Sequence, residues 1–152
     1  MKQLLLSVLS LTVISGCGPT QPKLDGGVHV SGTLFLSGSP LEGAAISFHP
    51  EGGTGQTSAA FSGADGKFTV TTKLPGDGMM PGNYIVTVIK TEDKSPPMTE
   101  EERDRYASTH GGNYPEAVIE YVTDRKYSNP KTSDLKVTVP AGGSKDLRID
   151  VP

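Results

Sequence analysis

Asn83-Tyr84-Ile85-Val86-Thr87-Val88-Ile89-Lys90 is the stretch on which the fold class turns. Read with a period of two, it places Tyr84, Val86 and Val88 on one face of an extended segment and Ile85, Thr87 and Ile89 on the other. Both faces carry apolar residues, which predicts a strand in a central position. The same period recurs on either side. Val28, Val30, Leu34 and Leu36 share a face opposite His29, Ser31, Thr33 and Phe35, with Gly32 standing where the apolar face would continue. Ile46 and Phe48 alternate with Ala45, Ser47 and His49 after a turn marked by Ser39-Pro40 and Gly43. Phe68 and Val70 point inward after an Ala64-Asp65-Gly66 turn, and a weaker strand is predicted over Ser58 to Phe61. Leu135, Val137 and Val139 and then Leu147, Ile149 and Val151 are expected to form a final pair across the Pro140 to Ser144 loop. Short strands divided by Gly, Pro and Asp turns, without long helices between them, predict an all-β antiparallel sandwich of about seven strands.

Composition sets the bounds. The chain has 152 residues with 19 Gly, 12 Pro and no Trp, enough for one turn-rich domain. Its formal charge is -3 and it lacks a Lys/Arg cluster, so no nucleic-acid partner is expected, because such binding needs several phosphate-neutralising cations together. One cysteine excludes an internal disulfide and any multi-thiolate zinc site.

The amino terminus reads as an address. Lys2 is the single charge in residues 1–16, and the apolar run from Leu4 to Ile14 has the length of a secretory h-region. As a helix, those residues extend about 16 Å against a hydrocarbon core of roughly 30 Å, too short for a permanent span. Ile14-Ser15-Gly16-Cys17 resembles the lipobox of bacterial lipoproteins, an aliphatic and two small residues before the modified cysteine. That resemblance implies signal cleavage between Gly16 and Cys17, a thioether-linked diacylglycerol on Cys17 and acylation of the new amino group. Each buried methylene adds about 0.8 kcal/mol of membrane affinity, and two or more chains anchor stably where one does not. Residues 17–27 are then the lipidated cysteine and its polar tether, and residues 28–152 the domain. The ten residues from Gly18 to Gly27 reach about 35 Å at full extension.

Residues 91–125 break the strand pattern. They hold nine acidic and four basic side chains, which concentrates the acidity of the chain in an insertion. Thr99-Glu100-Glu101-Glu102 has capping-box spacing and predicts a short helix from Glu100 to about Ala107, ended by Gly111-Gly112. Pro115 to Val122 fits either another helical turn or an extra edge strand. An excursion of this length within a small sandwich is either a functional site or a solvated decoration. Tyr106, Tyr114 and Tyr121 fall in it and Tyr127 just after it. Rings with polar tips suit carbohydrate or protein contacts, and equally suit packing of the insertion on the sheet.

The ordered set Gly32-Thr33-Leu34-Phe35, Gly38-Ser39-Pro40-Leu41-Glu42-Gly43 through Phe48, Ala64-Asp65-Gly66-Lys67-Phe68 and Pro81-Gly82-Asn83-Tyr84 resembles a carboxypeptidase regulatory-like (transthyretin-like) domain. Pro75-Gly76-Asp77-Gly78 and Tyr127 to Ser133 add to the likeness. Together with the lipobox, they resemble the small lipoproteins of this domain type found in planctomycete-type bacteria. The resemblance spans about residues 28–90 and 126–151 and implies a prealbumin-like, Ig-like sandwich without catalytic residues of its own.

Catalytic signatures are sparse. His29, His49 and His110 are followed by Val-Ser-Gly, Pro-Glu-Gly and Gly-Gly-Asn, so a His-x-x-Glu zinc pair is missing, and there is no Gly-x-Ser-x-Gly elbow, P-loop or EF-hand loop. The ending Leu147-Arg148-Ile149-Asp150-Val151-Pro152 departs from the Tyr-Arg-Gly-Ser ending of hydroxyisourate hydrolases on the transthyretin fold. His29 and His49 near Glu51 read as solvated side chains in preference to a surface site. Glu100, Glu101, Glu102 and Asp104 read as a solvated helix face, since adjacent helix positions do not converge on one ion. The expectation is a noncatalytic lipoprotein without metal or cofactor. It is anchored by lipid on the extracytoplasmic face of the cell membrane or outer membrane and meets an envelope protein or glycan through residues 91–125. The rival expectation is a small hydrolase or metal-dependent enzyme using the three histidines.

Overall fold

A computed structural model describes residues 24–152, so the signal segment, the Gly16/Cys17 cleavage and lipidation site and the first part of the tether lie outside the described residues. The described residues are all-β apart from one helix and one 3-10 turn. Its elements are β1 (Val30–Leu36), β2 (Ser39–Pro40), β3 (Ala45–Pro50), β4 (Ser58–Phe61), β5 (Lys67–Thr69), β6 (Gly82–Ile89), β7 (Thr91–Asp93), α1 (Glu100–Thr109), β8 (Ile119–Tyr121), β9 (Lys136–Val139) and β10 (Ser144–Val151). The seven strands expected from alternation are all present. The two-residue β2 and the β7–β8 ribbon bring the described total to ten.

Two four-stranded sheets enclose one core. In the first, β1 is flanked by β10 on one side and by β2 and β5 on the other; the second has the order β4-β3-β6-β9. Val30, Leu34, Phe68, Ile149 and Val151 of the first sheet meet Ile46, Phe48, Tyr84, Val86, Val88 and Val139 of the second in a single buried cluster. The Phe48 and Phe68 rings touch across the layers with centroids 6.2 Å apart. Each fully buried aliphatic or aromatic side chain contributes roughly 1.5–3 kcal/mol by leaving water.

Two expectations are corrected. β9 and β10 are not paired with each other; the loop after Val139 carries the chain from the second sheet to the first, where β10 pairs with β1. That pairing is parallel, in register from Gly32↔Leu147 to Leu36↔Val151, so the sandwich is antiparallel everywhere except along this seam. The direction follows from where the loop lands. Ser144 N donates to His29 O at 3.0 Å, placing the start of β10 beside the start of β1. Gly32 is required at the seam, because a Cβ there would stand 1.9 Å from Leu147 O.

β6 holds the central place its sequence predicts, between β3 and β9. Its outer face is nevertheless open. Ile89 is 39% exposed, whereas Thr87 beside it is buried and its hydroxyl lies 3.1 Å from His49 Nε2.

The two ends of the sandwich differ. Val28 N donates to Met79 O at 2.9 Å, and Leu24 is buried, so folded contacts begin four residues before the expected tether boundary. Asp77 fixes this entry end: its carboxylate accepts the amides of Thr72 at 2.8 Å and of Lys73 and Leu74 at 3.0 Å. Burial pushes the Asp77 carboxyl upward, but the backbone amides of Thr72, Leu74, Lys73 and Leu24 outweigh it and hold it below the usual carboxylate value. Tyr84 Oη donates to Met80 O at 2.8 Å at the same end. From there β6 runs eight residues, about 25 Å, to the far end, where the insertion leaves the sheet.

Candidate functional site

The insertion is built from local signals and barely touches the core. At the start of α1, Glu102 N donates to Thr99 Oγ1 at 3.2 Å and Thr99 N donates to Glu102 Oε2 at 2.8 Å, the reciprocal capping box. Those Thr99 contacts, backbone first and hydroxyl second, hold the Glu102 carboxyl below its ordinary value. Glu101 pairs with Arg105 one turn on at 3.1 Å. At the other end Gly112 N reaches Ala107 O at 2.8 Å while Gly111 takes a positive φ of 66°, a glycine-terminated helix. No residue of α1 is buried. A polar helix with that exposure is held by its caps and flanking loops and not by the sandwich.

Of the segment Pro115 to Val122, Ile119–Tyr121 forms a strand. β8 pairs antiparallel with β7 through Thr91↔Tyr121, Glu92↔Glu120 and Asp93↔Ile119. Lys94 N donates to Val118 O at 2.7 Å and Val118 N donates to Ser95 Oγ at 2.8 Å, which extends the clamp beyond the ribbon. Asp93 Oδ1 accepts the Ser95 amide at 2.8 Å. Ser95 hydrogen bonds, from side chain and backbone, lower the Asp93 carboxyl from its ordinary value and keep it ionised. The ribbon is rooted in the second sheet by Thr123, whose hydroxyl accepts Lys90 N at 3.1 Å and donates to Val88 O at 3.3 Å.

Between ribbon and helix lies a cleft of about 620 Å³, bounded by Asp93, Pro96, Met98, Arg103, Tyr114 and Glu116. A second depression of about 400 Å³ on the other side of Pro97 and Met98 is lined by Glu102, Arg105 and Tyr106. Tyr114 thus walls the larger cleft with 61% exposure, and Tyr106 the smaller, its ring stacked on His110 at 3.8 Å between centroids. Tyr121 lines neither; its ring lies under the Arg125 guanidinium at 4.4 Å. Tyr127, the fourth of the sequence cluster, is a core residue. Met98, Arg103 and Glu116 had no signal in the sequence, because they come from three separate segments that share no motif.

The histidines are dispersed. His29 sits at the entry end beside Gly143, His49 lies on the outer face of the second sheet, and His110 closes α1 with its Nδ1 2.8 Å from Tyr106 O. Glu51 pairs with Lys136 at 2.6 Å and not with a histidine. Among the described residues no group of three or more His, Cys, Asp or Glu is arranged to hold a metal ion, and no helix is long and apolar enough to cross a membrane.

Exposed apolar side chains favour the far end. Phe61, Ala45 and Ile89 form a registered row across β4, β3 and β6, with Phe61 73% exposed, and Tyr114, Val118, Ile119 and Tyr121 are exposed in the insertion. Met80 is the one exposed large hydrophobic residue, among those described, at the entry end. Compared with protein-family models, curated proteins and solved structures, the chain matches none.

Proposed function

We propose that this chain is a lipid-anchored cell-envelope protein, on the extracytoplasmic face of the cell membrane or outer membrane, whose transthyretin-like β-domain is noncatalytic and offers residues 91–125 for binding or structural support. The observation that carries the reading is the polarity of the domain. The chain enters at one end of the sandwich, and the insertion with most of the exposed apolar side chains stands at the other, about 25 Å away along β6. A lipid on Cys17 would turn that far end away from the bilayer. Exposed apolar surface on a folded domain costs solubility unless a partner covers it, and a helix without buried residues adds little to folding. Both features fit a contact surface.

Two measurements test this. Intact mass of membrane-extracted protein is expected to show a chain that begins at Cys17 and carries acyl groups; a chain that begins elsewhere with a free thiol overturns the anchor. Cross-linking in cells followed by purification, with and without residues 91–125, is expected to lose partners on deletion. An unchanged set removes the insertion as the contact surface.

A further inference from the structure

We infer that the cleft between the β7–β8 ribbon and α1 binds a neutral oligosaccharide. The inference rests on the reading of the insertion as a contact surface and names the ligand chemistry of one part of it. Sugars present a hydroxylated rim that both donates and accepts hydrogen bonds, and a flat C–H face that prefers an aromatic or aliphatic wall. The cleft offers both. Tyr114, Pro96 and Met98 supply the apolar wall. Arg103 supplies a planar set of N–H donors, and among the described residues its guanidinium has no ion pair. Its neighbour Arg105 on the helix is already taken by Glu101, and Lys94 by Glu92 at 2.6 Å. Glu116 brings acceptors that are likewise unpaired among the described residues, whereas the Asp93 carboxylate is partly used in holding the Ser95 amide.

Charge decides between kinds of sugar. Two carboxylates, Asp93 and Glu116, face one cation in the cleft, and the surrounding insertion has nine acidic residues against four basic. A phosphorylated or uronic-acid ligand meets net repulsion there; an uncharged one does not. Size agrees, since about 620 Å³ falls within the roughly 300–1,000 Å³ typical of small-ligand sites and accommodates two to three rings.

The test uses the full chain in detergent and a set of defined probes: the neutral trisaccharides maltotriose, cellotriose and fully N-acetylated chitotriose, the anionic trigalacturonate, and a proline-rich peptide. Saturation-transfer NMR reads binding from the ligand side, and intrinsic tyrosine emission, free of Trp, reports it through the part of the change that Tyr114→Phe alters. At least one neutral trisaccharide is expected to bind, at least tenfold more tightly than trigalacturonate. Tyr114→Ala and Arg103→Ala should each weaken that binding about tenfold or more, and His49→Ala, on the sandwich face, should leave it unchanged. Far-UV circular dichroism checks that the variants stay folded, and Tyr114→Phe, which keeps the ring, should retain most of the binding. Binding of none of the neutral sugars, binding that survives both cleft substitutions, or a preference for the anionic sugar or the peptide overturns the inference. If the sugars fail while deletion of residues 91–125 still removes cross-linked partners, the broader contact-surface reading stands without a glycan. Loss of both results ends both proposals.

Discussion

The sandwich and the insertion are stabilised in opposite ways. The sandwich is held by contacts between residues far apart in sequence: Phe48 against Phe68 and β1 against β10. The helix of the insertion is held by contacts within a few residues of one another, a capping box, an i,i+4 ion pair and a glycine stop, and a short ribbon joining Thr91–Asp93 to Ile119–Tyr121 closes the excursion. The first buries the side chains of its inner faces. The second leaves its aromatic and charged groups in water, where a ligand can reach them.

That contrast can be broken by mutation, most severely in the core. Phe48→Ala empties a fully buried site and should cost about 3–5 kcal/mol in urea unfolding. Gly32→Ala drives a methyl into the β1–β10 seam and should cost about 1–3 kcal/mol, with a fall in Tm as the readout. Asp77→Asn keeps the shape but weakens the acceptor, and a smaller drop in Tm is expected. The same group gives a pH dependence. Its folded carboxyl lies below the unfolded value of about 3.9, so its contribution is complete above that pH and declines as pH falls through the folded value. Urea midpoints should therefore fall on acidification below about pH 4 in the wild type and fall less in Asp77→Asn.

Smallest of all is the effect of the insertion on the whole. Thr99→Ala should fray α1 by about 1 kcal/mol locally, seen as faster amide exchange at the start of the helix, while the global melt stays unchanged. A global Tm that fell with Thr99→Ala as far as with Gly32→Ala would mean that the two regions fold as one unit, and the contrast would fail.

The features legible in the sequence are those with a short reach. Alternation located all seven main strands, and Thr99 with Glu102 located the helix start, since each signal lies within a few residues. Alternation assigns a face and not a neighbour. Ile149 and Val151 read as inward whether β10 joins β9 or β1, and only the crossing after Val139 settles it. Gly32 showed as a gap in an apolar face, but its cause, the Leu147 carbonyl, lies more than a hundred residues away. The cleft was less legible still. Tyr114 was visible as an aromatic ring in an acidic stretch, whereas Arg103, Met98 and Glu116 become its neighbours only through the ribbon hydrogen bonds.

The parallel seam also sets a timetable. A chain made amino end first presents β1 early, yet its partner β10 starts at Ser144. Until β10 arrives, one flank of β1 stays bare and the loop to be closed exceeds a hundred residues, so this pairing is slow. Deleting β10 should therefore leave a product that aggregates.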